Sequence, residues 1–162
     1  MTDVSEQPQP PEEDLDSLPL EIDPIVLPMA RLAVEAVSAL KAEEISVLDV
    51  EGRCSYCDVL VLCTGRADRH VRAIAGNIVQ EHKRLRGKPP LGVEGLASGK
   101  WVLVDLGDVL VHVFDEAARG YYDVDGLWMD ARRIPFDELG LTDEGLPLDE
   151  PEATPEPPSA ES

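Results

Sequence analysis

No apolar run in this 162-residue chain approaches the roughly 18 to 20 residues needed to cross a bilayer, so no membrane-spanning helix is expected. The N-terminus lacks a basic start followed by an apolar segment. It is also acidic where an organelle transit peptide would be Arg-rich, and a cytosolic protein is the expectation. Cysteine is scarce. Three of them, an odd number, make no disulfide framework and fit a reducing compartment. The phosphate-cradling pattern G-x-x-x-x-G-K-[ST] is missing, and so is the dinucleotide fingerprint G-x-G-x-x-G. No internal repeat is present.

Positive charge is absent from both ends. The formal charge of −19 looks extreme until it is located. All fourteen Lys and Arg lie between Arg31 and Arg133, and residues 24–140 hold eighteen Asp and Glu, an excess of only four. The other fifteen acids, with nine of the fourteen prolines, sit in residues 1–23 and 141–162. These ends carry few large apolar side chains and cannot bury enough surface to offset the entropy of ordering. Both are expected to be disordered acidic tails around one domain, residues 24–140. Solubility is their plain role; steering toward a basic partner, or autoinhibition, is the alternative.

What is present is organised around Lys100 to Phe114. Two β-branched-rich runs flank Gly107-Asp108, and a glycine-first two-residue loop supplies the positive φ of a type II′ turn, so the stretch reads as an antiparallel hairpin. In that register Val102, Val104, Leu106, Val109, Val111 and Val113 share one aliphatic face. The reverse face carries Trp101 opposite Phe114, Leu103 opposite His112 and Asp105 opposite Leu110, a mixture that burial alone does not demand.

The remaining elements follow in order. Met29, Leu32, Ala33, Ala36, Val37 and Leu40 form one apolar helical stripe, with Asp23-Pro24 or Leu27-Pro28 at its start and Glu43-Glu44 at its end. Ile45 to Val50 alternates as a strand. Asp58 to Thr64 is nearly continuous in apolar residues, the pattern of a strand buried on both faces. A helix follows Thr64-Gly65 with Val71, Ile74, Ala75, Ile78, Val79 and His82 on one side. Its exit is basic, and Pro89-Pro90 stops it. Leu91-Gly92-Val93-Glu94-Gly95 is short and glycine-rich, a candidate edge strand only. Asp115-Glu116 suits a helix N-terminus, and Gly120 and Gly126 weaken the aromatic closing segment of Tyr121, Tyr122, Val124, Leu127 and Trp128.

Several constellations invite chemistry. Cys54-Ser55-Tyr56-Cys57 is a C-x-x-C, but it precedes a strand instead of opening a helix, and no second ligand pair completes a zinc site. Ordinary reduced thiols are the expectation. Thr64-Gly65, with Arg66 and Arg69, can face an anion or an RNA backbone. Asp105 and Asp108 are two carboxylates near one turn, able in principle to hold Mg²⁺ for an enzyme acting on nucleotides or RNA ends, although they point to different faces. His112 has no Ser, Cys or Asp set around it as a triad and reads as hydrogen-bonded structure. Trp101 suits core and partner contact equally.

Taken in order, Leu48-Asp49-Val50, Thr64-Gly65, Arg69-His70-Val71, Ala73-Ile74-Ala75, Gly92-Val93-Glu94-Gly95, Trp101 through Val109, His112-Val113-Phe114 and Leu127-Trp128 resemble the ribosomal silencing factor family, also called Iojap-related. The resemblance covers residues 28–131; Cys57 and Gly120 depart from it locally. It implies an α/β fold, a mixed sheet of about five strands flanked by helices, with the outline of a nucleotidyltransferase. The chain has no Gly-Ser, so the combined signature of active nucleotidyltransferases, Gly-Ser with Asp-x-Asp, is missing, which agrees with a binding protein and no cofactor.

The resemblance further implies docking on the large ribosomal subunit at large-subunit ribosomal protein fourteen. Joining of the small subunit would be blocked and translation held down when nutrients are scarce; organelle relatives act in large-subunit assembly. Residue reading and resemblance meet on the hairpin's mixed face. Trp101, Leu103, Asp105, His112 and neighbouring Glu94 are the expected partner-binding patch, carboxylates facing a basic partner around an apolar centre. A homodimer of the free protein, covering exposed apolar surface, is a further expectation.

Overall fold

The computed structural model describes residues 26–148; the expected tail at 1–23 and the part of the other from 149 onward lie outside them. The elements run α1 (Val26–Ala39), β1 (Glu43–Asp49), β2 (Val59–Gly65), α2 (Asp68–Arg86), β3 (Gly92–Glu94), β4 (Trp101–Asp105), β5 (Val109–Asp115), α3 (Glu116–Tyr122), α4 (Val124–Leu127) and β6 (Arg132–Arg133), then a 3₁₀ turn at Phe136–Leu139. They build one six-stranded sheet in the order β3-β4-β5-β2-β1-β6. β2 and β5 are parallel and every other pair is antiparallel, so the sheet is mixed. The strand beyond the five or so expected is β6. Its two residues pair with Leu48 and Asp49 and are too few to leave an alternating pattern.

The continuous apolar run is the interior strand β2, whose seven residues are all buried. One sheet face carries the larger core: the stripes of α1 and α2 pack on Val59, Val61, Val102, Val104, Val111 and Val113. The two helices run antiparallel. The His70 Nε2–H donates to the Leu40 carbonyl at 2.7 Å near one end, and Asn77 Nδ2 donates to the Ala36 carbonyl at 2.8 Å further along. The other face carries a smaller apolar layer of Leu48, Leu60, Leu62, Leu110 and Phe114 under the short helices α3 and α4.

The hairpin register is the one the turn predicts. Trp101 pairs with Phe114, Leu103 with His112 and Asp105 with Leu110, and Gly107 sits at φ +103°, where a side chain would be strained. Asp115 caps α3 by accepting the Ala118 N–H at 2.7 Å, as its position predicts.

Two expectations are corrected. Glu43-Glu44 does not end the first helix, which stops at Ala39; these residues open β1. The pairing jumps from Glu43↔Thr64 to Ser46↔Leu62 with Glu44 at φ 49°, a bulge that admits the charged pair at the strand's start. The expected tail at 141–162 also begins too early. Leu141 is fully buried in the main core, its backbone bridges to Pro147, and the Leu148 N–H donates to the Gly140 carbonyl at 2.9 Å. One large apolar residue seated against α1 suffices to order the stretch before the acids and prolines dominate.

Candidate functional site

The fold gathers the five expected patch residues on one face. Period-2 alternation along β4 aligns Trp101, Leu103 and Asp105, while antiparallel pairing sets Glu94 of β3 beside Leu103 and Leu103 beside His112. Glu94, Leu103 and His112 thus form a single row across three strands at the β3 edge of the sheet. Glu94 is exposed, and Trp101, Leu103 and Asp105 are half-buried. His112 is the exception. At 7% exposure it lies beneath the surface and supports the patch without presenting itself to a partner.

Its role is to hold Trp101. The indole Nε1–H donates to His112 Nδ1 at 3.0 Å, which makes Nδ1 an acceptor and the imidazole neutral. Burial pushes the His112 pKa down to about 4. The indole also stacks on Phe114, ring centroids 5.2 Å apart, and meets Tyr122 of α3 at 4.6 Å. An aromatic side chain fixed on three sides and open on the rest is a preorganised anchor.

Clefts open on both sides of that ring. One, of about 250 Å³, is lined by Glu94, Gly95, Trp101 and Leu103. The other, of about 610 Å³, lies between Lys100, Trp101 and Asp115 on the hairpin and Ala118, Tyr121 and Tyr122 on α3. Gly95, at φ +92°, brings its backbone so near Trp101 that an added Cβ would stand 2.1 Å from the Trp101 carbonyl oxygen. The wall of the smaller cleft therefore requires glycine. Tyr121 and Tyr122 are visible in the sequence as aromatics. Their place beside Trp101 is not, because it depends on α3 folding back over β5 from its Asp115 cap.

The other candidate groups are used structurally. Asp105 Oδ1 accepts the Gly107 N–H at 2.9 Å and so shapes the hairpin turn. Cys54 and Cys57 stand with sulfurs 3.4 Å apart, and burial, followed by the hydrogen bond with Cys54, pushes the Cys57 thiol far above its ordinary range. A thiol held protonated is a poor nucleophile and a poor ligand. Among the described residues no three His, Cys, Asp or Glu gather as a metal-binding group. At the Gly65 helix start, the Arg66 N–H donates to His70 Nδ1 at 2.9 Å, and Arg66 faces Glu43 at 3.9 Å. One backbone donor that an anion would use is therefore occupied.

Arg119 was not singled out by sequence patterns, yet it ties three elements together. Its guanidinium makes a paired contact with Asp125 at 2.9 and 3.0 Å, donates to Thr64 Oγ1 at 3.1 Å and reaches the Glu44 carbonyl at the β1 bulge. The available signal is its isolation, as the only cation between Lys100 and Arg132.

Comparison with known proteins agrees with this architecture. The family model described as "Ribosomal silencing factor during starvation" matches residues 25–161. The Ribosomal silencing factor RsfS of Chromobacterium violaceum is 42% identical over 100 residues, spanning 62% of this chain and 81% of that protein. A crystal structure of a protein from the same organism superposes with a TM-score of 0.62 at 38% identity, over 64% of this chain and 86% of its own. A mouse protein named "Mitochondrial assembly of ribosomal large subunit protein 1" is 28% identical over 127 residues, covering 75% of this chain and 56% of that one. With a family model spanning all of the described residues and a bacterial relative that shares its sequence along most of that relative's length, the chain belongs to the ribosomal silencing factor family.

Proposed function

We propose that this protein represses translation by binding the large ribosomal subunit through the outward face of the β4–β5 hairpin, at large-subunit ribosomal protein fourteen, so that the small subunit cannot join. The observation that carries the reading is Trp101. It is braced by His112, Phe114 and Tyr122 and stands between two open clefts, with Glu94 lining the smaller one and Asp105 on the same strand face beyond Leu103. Apolar anchors ringed by acids suit a basic protein surface, with burial supplying affinity and charge supplying orientation. Family membership supports the ribosome as the partner and starvation as the occasion. The mouse relative's name supports the large subunit and an added role in its assembly.

Blocking by excluded volume needs no turnover, so the reading assigns no catalytic residue and no cofactor. Among the described residues no helix is long and apolar enough to cross a membrane, and we place the protein in the cytosol with its ribosomes. When the factor is free, a second copy can cover the exposed apolar rim of Tyr121, Leu127 and Met129.

Light scattering from purified subunits tests the mechanism. Added protein should lower the extent of subunit joining in proportion to its occupancy of large subunits, and raising the small-subunit concentration should relieve the effect. Joining that proceeds unchanged at saturating occupancy would contradict steric blocking.

A further inference from the structure

We propose that the C-terminal end of α2 is a second contact surface, taking RNA phosphates through Lys83, Arg86 and Lys88 beside the docking face. The inference rests on the docking reading above and adds a partner chemistry to it.

Seven of the fourteen basic residues fall within residues 66–88, and they are not equivalent. Arg66 faces Glu43, Arg72 donates to the Leu96 and Ala97 carbonyls, and Arg84 is held by Glu81 at 2.6 Å. Lys83, Arg86 and Lys88 are exposed and cluster at the helix exit, and their charged ends make no ion pair or hydrogen bond among the described residues; Arg69 is likewise exposed and unpaired but stands alone at the helix start. No acid interrupts residues 83–88. The helix dipole favours cations in the last turn, but Lys88 stands beyond it.

The backbone under these cations is pinned. Gly87 takes the left-handed cap conformation, φ 77°, and its N–H donates to the Lys83 carbonyl at 2.8 Å. His82, 5% exposed, holds the Lys88 carbonyl at 2.8 Å through Nδ1. From Lys88 the chain runs through Pro89-Pro90 to Leu91, whose N–H donates to the Asp105 carbonyl at 2.9 Å. The cationic end of α2, on the other side of the sheet, is therefore joined within three residues to the sheet edge at Asp105.

Charge decides the occupant. A chain of formal charge −19 is repelled by an RNA-rich particle, and unpaired cations on a pinned backbone near the contact edge are what lower that cost locally. The rival occupant is internal. Residues 1–25 hold eight acids and no base, and they join α1 at the end that antiparallel packing places toward this part of α2.

The test is the salt dependence of binding between the full chain and purified large subunits, from 50 to 300 mM KCl. Wild type, K83A/R86A/K88A and the control R69A, at the opposite end of α2, are compared. The triple variant is expected to bind more weakly and to lose about 2 to 3 from the magnitude of the slope of log K against log salt, with R69A matching wild type. An unchanged slope in the triple variant overturns this proposal alone. Tighter binding by the triple variant also overturns it, since the cations would then seat the chain's own acidic segment. Absence of wild-type binding overturns the docking reading and this one with it.

Discussion

At the scale of single residues, the pair Trp101–His112 explains why a histidine sits beneath a surface aromatic. The neutral imidazole accepts the indole N–H, and protonation would both charge a buried group and remove that acceptor. The sign of the pH effect follows. The His112 pKa is depressed to about 4 in the folded protein against 6.5 for the free side chain, so below 6.5 the unfolded chain takes up the proton first. Stability from this residue is full above pH 6.5 and drains as pH falls toward 4, with about 2 kcal/mol gone by pH 5. Urea unfolding at pH 7 and pH 5 should show that loss in wild type and a much smaller one in His112→Gln, which keeps an acceptor but does not titrate. Equal losses in the two proteins would remove His112 from the account.

Among the elements, the hairpin was the most legible and α3 the least. Gly107-Asp108 sets the turn, the turn sets the register, and an all-aliphatic face opposite a mixed one admits no slip, so the row from Leu103 to His112 could be read from sequence. β2 was equally plain, because an interior strand leaves an unbroken apolar run. By contrast, the position of α3 over the sheet depends on Arg119, whose partners at Glu44, Thr64 and Asp125 are 75, 55 and 6 residues away. No local pattern encodes the two distant contacts, to Glu44 and Thr64. Burial of Leu141 and its turn was missed for the same reason: its surroundings are acidic, and its seat is on a distant helix.

Arg119→Ala is expected to destabilise the protein by about 2 to 3 kcal/mol, since it strands the Thr64 and Glu44 acceptors as well as Asp125. The Arg119 guanidinium also holds the Asp125 carboxyl below its ordinary value of 3.8, so this part of the stability is present above that pH and is lost as pH falls through the lowered value. Thermal melting at pH 7 measures the first effect; a change under 0.5 kcal/mol would mean that α3 is held by apolar packing alone.

For the molecule as a whole, charge and shape divide the work. Residues 24–140 are nearly balanced in charge, with four more acids than bases, and most of the excess negative charge lies in the residues before and after them. Within the domain, acids border the hairpin's outer face and unpaired cations stand at the end of α2, an arrangement suited to a partner surface that is basic protein in one place and phosphate in another. The valine-lined face is consumed by the core under α1 and α2 and the middle of the reverse face by α3 and α4, so the part open to the proposed partner is the β3–β4 edge. On the proposed reading, silencing requires only that the bound domain occupy space.

The most direct measurement is co-sedimentation of the protein with separated ribosomal subunits, run beside Glu94→Lys and Trp101→Ala. Wild type should pellet with large subunits and not with small ones. Glu94→Lys, at an exposed position and expected to leave the melting temperature unchanged, should weaken that association at least several-fold, and Trp101→Ala should weaken it further. Wild type pelleting with small subunits, or both variants pelleting with large subunits as wild type does, would contradict the hairpin face as the site of grip.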